Sequence, residues 1–202
     1  MFNPRFTITS QVLNALNRIE VIREKIALCP IHPKEEYRLT REAILSMVLH
    51  STAIEGNTLN EFEIQKILAG GKINAPAREI YEVQNYKKAL DWISRKGTTN
   101  ITEKDLLKIH GLVSTNVLRE ERTGKYRKEP VYVVSRTPIS QEIRYIAPDY
   151  EKVPQLVGNL IYWYKMNKSK LHPFELAVLF SMKLVSIHPF VDGNGRISRL
   201  IM

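Results

Sequence analysis

Cysteine is nearly missing from this chain of 202 residues: Cys29 is the single one. No intramolecular disulfide framework can form, and no thiolate cluster can hold a metal. Long apolar runs are missing as well, since no stretch approaches the roughly 18 uninterrupted apolar residues that a membrane span requires. The opening residues MFNPRFTITS lack the basic-then-apolar layout of a secretory signal. Internal repeats, low-complexity segments and an inter-domain linker are also lacking. These absences lead to the expectation of a cytoplasmic protein with no membrane partner.

What is present suits an ordinary globular fold, with 44% hydrophobic and 25% charged residues and enough chain to bury a core. Lys and Arg number 30 against 21 Asp and Glu, a net charge of +9. Such an excess could meet a polyanion. Yet Arg119, Arg122, Lys125, Arg127 and Lys128, and again Lys165, Lys168 and Lys170, are spread along the chain. A solvated basic surface is the simpler reading than a nucleic-acid footprint.

Helical spacing of apolar residues dominates. Val12, Leu13, Leu16, Ile19, Ile22 and Ile26 predict one long amphipathic first helix. Residues Ile31 to Pro33 interrupt it, and a second helix is expected from a cap at Thr40 through Met47 towards Ile54. Thr58 and Glu61 have capping-box spacing for a short third helix that Gly70 and Gly71 end. Pro76 starts a helix to about Arg95, and Thr102 caps the next.

At Pro130 the pattern changes. Val131, Tyr132, Val133 and Val134 form a β-branched and aromatic run, 135–141 reads as a turn, and Ile143, Tyr145 and Ile146 form a second run. The expectation is a β-hairpin lying on a helical body or awaiting a third strand. Helices resume near Val153 and again at Pro173. His172-Pro173-Phe174 reads as a helix start, because no glycine or arginine cluster follows it.

The chemistry gathers between His188 and Arg199, in the segment HPFVDGNGRISR. Gly193 and Gly195 let the backbone turn sharply and bring N–H groups close to an anion, and the following helix adds the positive end of its dipole. Arg196 and Arg199 are three apart, so on a helix they occupy neighbouring positions and together could grip outer phosphates. Asp192 could hold a magnesium ion shared with phosphate oxygens, which suits a hard cation that takes one or two carboxylates. His188 is then left for proton transfer from a hydroxyl. Phe190 is expected to point into the core.

These residues satisfy every fixed position of His-x-Phe-x-Asp/Glu-Gly-Asn-Gly-Arg-x-x-Arg, so the chain resembles the Fic family. The resemblance implies a mainly α fold, a Fic-type helical bundle with one β-hairpin flap. It also implies transfer of AMP from ATP to a Ser, Thr or Tyr hydroxyl of a target protein. Under it His188 corresponds to the base, Asp192 to the Mg2+ ligand and Gly193, Asn194 and Gly195 to the anion-binding turn. Arg196 and Arg199 correspond to the phosphate-binding arginines, and Val131 to Val134 to the flap edge that aligns the target.

Ser51-Thr-Ala-Ile-Glu55-Gly-Asn is unremarkable alone, but beside the longer motif it resembles the family's inhibitory pattern, in the class where the inhibitory helix precedes the core. Glu55 would engage Arg199 through two parallel hydrogen bonds in place of the γ-phosphate, with Ser51 steadying the glutamate. Residues 1–75 would then form an N-terminal helical region carrying the inhibitory helix, and 76–202 the Fic core. In some relatives the same glutamate positions a water that removes AMP instead.

Met202 follows Arg199 by three residues, so the last helix has about two turns, whereas family members continue. Two other readings therefore stand beside the enzyme. One is an inactive truncated module that binds protein or nucleic acid, and the other a relative that uses a different donor. Partners in view are an unknown target protein, the chain itself and a homodimer; nucleic acid is not expected without a C-terminal domain.

Overall fold

A computed structural model describes residues 2–97, 100–136 and 141–202. The element order is α1 (Ser10–Leu28), α2 (Pro33–Ile54), α3 (Glu61–Leu68), α4 (Ala77–Lys96) and α5 (Glu103–Ser114). Then come β1 (Tyr132–Arg136), β2 (Gln141–Ile146), α6 (Val153–Asn167), α7 (Pro173–Ile187) and α8 (Asn194–Ile201). The fold is mainly α with one antiparallel hairpin, as expected. Among the described residues no helix is long and apolar enough to cross a membrane.

Two helix starts differ from expectation for identifiable reasons. Helix α2 begins at Pro33, seven residues before Thr40, because a proline is preorganised for the first position of a helix. His32 caps it through Nδ1, which accepts the Lys34 N–H at 3.3 Å, and Glu35 and Glu36 occupy the first turn. Helix α3 is capped by Asn60 and Glu63, not by Thr58 and Glu61. Asn60 Oδ1 accepts from Glu63 N at 3.0 Å and Glu63 Oε2 from Asn60 N at 2.9 Å. Thr58 is drawn away, its hydroxyl donating to Glu79 at 2.9 Å. Thr102 does cap α5, with Asp105 as its reciprocal partner.

The core lies between α4, α5, α6, α7 and α8, where Val83, Leu106, Val113, Leu160, Phe180, Leu184 and Ile197 are fully buried. Helix α8 has eight residues, too few to hold itself in water. It stands by inserting Ile197 and Leu200 into that core. Helix α1 departs from the amphipathic reading, since only Leu16 is buried while Val12, Leu13, Ile19, Ile22 and Ile26 are exposed. Glu20 Oε1 ties α1 to His172 Nε2 at 2.9 Å, and His172 itself caps α7 as expected.

In the hairpin, Tyr132 faces Ile146 and Arg136 faces Gln141, with an irregularity between Val133 and Val134. Both strands reach further towards the tip than the sequence suggested: Ser135, Arg136 and Gln141 are paired, and the rest of the expected turn, 137–140, lies outside the described residues. Val131 falls just before β1, where its carbonyl accepts from Ala147 N at 3.3 Å.

Candidate active site

Helix α7 delivers the motif. It ends at Ile187, and His188 turns the chain with left-handed angles, φ 51° and ψ 59°. A residue with a Cβ is disfavoured there by roughly 1–2 kcal/mol, so the turn must be held by its surroundings. Arg127 holds it. Its Nε donates to the His188 carbonyl at 2.8 Å, Nη1 to the Glu129 carbonyl at 3.0 Å and Nη2 to the Pro148 carbonyl, while its own N–H donates to Pro189 O at 3.0 Å. Arg127 therefore joins the base of the hairpin to the histidine turn. It is 2% exposed, which corrects its assignment to a solvated basic surface. No local sequence pattern separates it from the neighbouring surface cations.

Asn194 closes the loop from the other end. Its Oδ1 accepts from Phe190 N at 2.9 Å and its Nδ2 donates to Phe190 O at 2.8 Å. The side chain is thus spent within the loop, which leaves the main-chain N–H of Asn194 as its group for an anion. With Gly193 at φ 81° as the helix cap, the N–H groups of Asn194, Gly195 and Arg196 precede the first intrahelical bond, from Ile197 N to Gly193 O at 3.0 Å. Such leading donors make a helix start an anion site.

Phe190 is fully buried, as expected, and stacks on His110 with ring centroids 4.0 Å apart. His110 accepts the Gly124 N–H at Nδ1, 2.9 Å, and burial lowers its pKa to about 4. The unfolded chain takes up this proton near pH 6.5, whereas the folded chain refuses it until about pH 4. Stability should therefore be full above pH 6.5 and fall as the pH drops from there to 4. The loss is on the order of 3 kcal/mol. Urea midpoints measured across that window should show the slope, and His110→Gln should flatten it; equal slopes in the two proteins would contradict the assignment.

The His188 imidazole is half-buried. Nδ1 lies 3.3 Å from the Val185 carbonyl, and because a carbonyl can only accept, Nδ1 carries the hydrogen, which in the neutral ring leaves the lone pair on Nε2. Burial lowers its pKa, and the Arg127 charge acts in the same direction, against the raising influence of the Val185 bond, Glu55 and Asp192. A neutral imidazole with a free Nε2 is a general base.

Asp192 and the two arginines divide differently from the shared grip that their spacing suggested. Asp192 Oδ1 accepts from Gly193 N at 2.6 Å and from Arg196 Nη2 at 3.1 Å, and Oδ2 accepts from Arg78 Nη2 at 2.9 Å. Arg196 is 2% exposed, with Nη1 3.2 Å from Glu82 Oε1. Glu82, also buried, accepts from Arg78 Nε at 3.1 Å and Asn57 Nδ2 at 3.1 Å. A buried charge needs such partners. Sequence reasoning missed Glu82, Arg78 and Asn57. The signal for Glu82 was available, since it lies on the inward stripe of α4 with Val83, Tyr86 and Ala89, where an acid requires a buried cation.

Arg199 points elsewhere, to the end of α2. Its Nε donates to Ser51 Oγ at 2.8 Å, and its Nη2 to Ser51 O at 3.0 Å and to Glu55 Oε1 at 2.7 Å. The contact with Glu55 is thus one short bond, not two parallel ones, because Ser51 takes the Nε position. Ser51 correspondingly steadies the arginine and not the glutamate. The Glu55 carboxylate lies directly over Gly195, where an added Cβ would collide with it. An acid side chain therefore fills the approach to the first turn of α8.

The hairpin is a two-stranded sheet among the described residues, so each strand keeps one unpaired edge. Tyr145 fastens it to the end of α7 by donating to the Ser186 carbonyl at 2.5 Å. Tyr132 and Val133 are exposed on β1. As for magnesium, no cluster of three or more acidic, His or Cys side chains occurs among the described residues. Asp192, with its partly exposed side chain and one oxygen turned outward to Arg78, fits a cation that takes a single carboxylate and completes its shell with phosphate and water.

The sequence model of the Fic/DOC family matches residues 100–202. The chain is 32% identical over 193 residues to the protein adenylyltransferase Fic of Nematostella vectensis, covering 93% of this chain and 43% of that protein. It is 34% identical over 205 residues to the Drosophila melanogaster protein of the same name, covering 96% and 39%. It thus spans less than half the length of these curated relatives. Among solved structures, a Fic family protein from Desulfovibrio desulfuricans superposes with a TM-score of 0.83 at 29% identity, over 99% of this chain and 58% of that one. Fic-1 from C. elegans gives 0.77 at 29% identity, over 95% and 57%. With more than half of its length matched by the family model and the motif folded into a single turn and helix start, the chain belongs to the Fic/DOC family.

Proposed function

We propose that the chain transfers AMP from ATP to a Ser, Thr or Tyr hydroxyl of a protein, and that Glu55 holds this activity down. The observation that carries the reading is the Glu55 carboxylate on Arg199, over the N-terminus of α8, with His188, whose pKa burial lowers, at the preceding turn. An acid in that place stands where an outer phosphate of ATP would pair. On this reading residues 1–75 supply the inhibitory element and 76–202 the catalytic core.

The hydroxyl proton passes to Nε2 of His188 as its oxygen attacks the α-phosphorus, and the bond to the β-phosphate bridging oxygen breaks to release pyrophosphate. The main-chain N–H groups of Asn194 and Gly195 stabilise charge on the phosphates. Arg199, once free of Glu55, aligns the γ-phosphate, and Arg196 acts through Asp192 by holding its carboxylate in place. A magnesium ion on Asp192 would neutralise phosphate charge and assist pyrophosphate departure. The β1 edge supports main-chain pairing with the target segment.

The donor is tested by incubating the Glu55→Gly chain and magnesium with ATP labelled on either the α- or the γ-phosphate, using the chain itself and a protein mixture as acceptors. Label transferred from the α-position is expected. Transfer from the γ-position alone would mean phosphoryl transfer, and transfer from neither would leave a binding module.

A further inference from the structure

Arg78 lies outside both motifs, on the first turn of α4, yet it touches the residue read as the metal ligand. Its Nη2 donates to Asp192 Oδ2 at 2.9 Å while its Nε donates to Glu82 Oε1 at 3.1 Å. The other Asp192 oxygen is already taken by Gly193 N and Arg196 Nη2. The only oxygen left for an incoming cation is therefore the one that Arg78 covers. A guanidinium and a divalent cation repel each other, so Arg78 on that oxygen opposes the cation's approach.

The two arginines on Asp192 differ in their freedom to leave. The Arg196 side chain is 3% exposed and locked beside Glu82, whereas that of Arg78 is 60% exposed. Arg78 can swing its terminal nitrogen into water while keeping its Nε on Glu82, which Asn57 holds from the other side. We propose that Arg78 is a displaceable latch on Asp192, which competes with the divalent cation and sets the concentration at which the site loads. It would be a second brake, separate from Glu55. The inference rests on reading Asp192 as the metal ligand.

The test follows Mn2+ binding by water-proton relaxation enhancement, in the Glu55→Gly chain saturated with the α,β-methylene analogue of ATP. The enhancement reports ion immobilised on the protein and needs no turnover. Arg78→Gln should raise apparent Mn2+ affinity roughly threefold to fivefold, the range expected for releasing an exposed ion pair. Arg78→Lys, which keeps the charge but loses the two-armed reach, should move it the same way by less. Unchanged affinity in Arg78→Gln would overturn the latch, and weaker affinity would assign Arg78 to phosphate binding instead. If Asp192→Asn bound Mn2+ like its parent, the ligand reading would fall and the latch with it, an outcome distinct from failure of Arg78 alone. Thermal melts of each variant confirm that a folded protein is being titrated.

Discussion

Removing the Glu55 carboxylate, as in Glu55→Gly, is expected to raise the rate of AMP transfer about tenfold or more, because a γ-phosphate need no longer displace a charge-assisted bond worth about 1.5–3 kcal/mol. The Glu55–Arg199 pair is only about a quarter exposed on each side, so solvent screens it incompletely. Freed of the acid, Arg199 still has Ser51 as a partner on Nε and Nη2, which keeps the guanidinium at the site instead of letting it collapse. Small displacements at a reacting centre carry rate costs up to about 10²-fold, so a misplaced γ-phosphate is enough to silence a site whose base is intact. The substitution should spare the fold. Glu55 follows the last residue of α2 as its C-cap, outside the helix interior where glycine costs about 1 kcal/mol. Transfer assays on the two proteins, with melting curves alongside, check this; equal rates would sink the inhibitory role.

His188→Ala in the Glu55→Gly background should lower transfer by about 10²–10⁴-fold, the usual worth of a positioned general base. The turn itself is held by main-chain contacts, from His188 N to Leu184 O and from Arg127 to His188 O, which an alanine retains. His188→Asn is a useful second variant because asparagine tolerates the left-handed conformation better. The pH profile adds a signature that lost structure would not give. A base must be neutral to act, so activity disappears as the pH falls through its pKa. Burial holds the His188 pKa below its ordinary value, so the acidic limb should lie below about pH 6.5. Glu55 raises that pKa, and its removal should shift the limb further towards acid.

How much of this could be read in the sequence depended on whether the controlling contact was local. The turn from His188 to Gly195, the hairpin and the capping of α5 and α7 rest on residues close together in the chain, and they appear where periodicity and glycine placement put them. Local signals competed at Thr40 and Thr58, where Pro33 and Asn60 provided better starts. The exposed apolar stripe of α1 shows that periodicity reports a capacity to bury a face and not what covers it. The polar network was largely illegible, since Arg127 reaches His188 across 61 positions and Arg78 reaches Asp192 across 114. Spacing alone placed Arg196 and Arg199 together, but the buried Glu82 draws one inward and Ser51 draws the other to α2.

The competition between Glu55 and a γ-phosphate for Arg199 is tested most directly by calorimetric affinities for ATP and ADP, measured in the unaltered chain and in Glu55→Gly. ADP lacks the contested group. The account predicts that the substitution tightens ATP by about tenfold, the worth of one charge-assisted bond, and ADP, which gains only an unobstructed helix start, by clearly less. Equal gains for both nucleotides, or no gain for ATP, would contradict it.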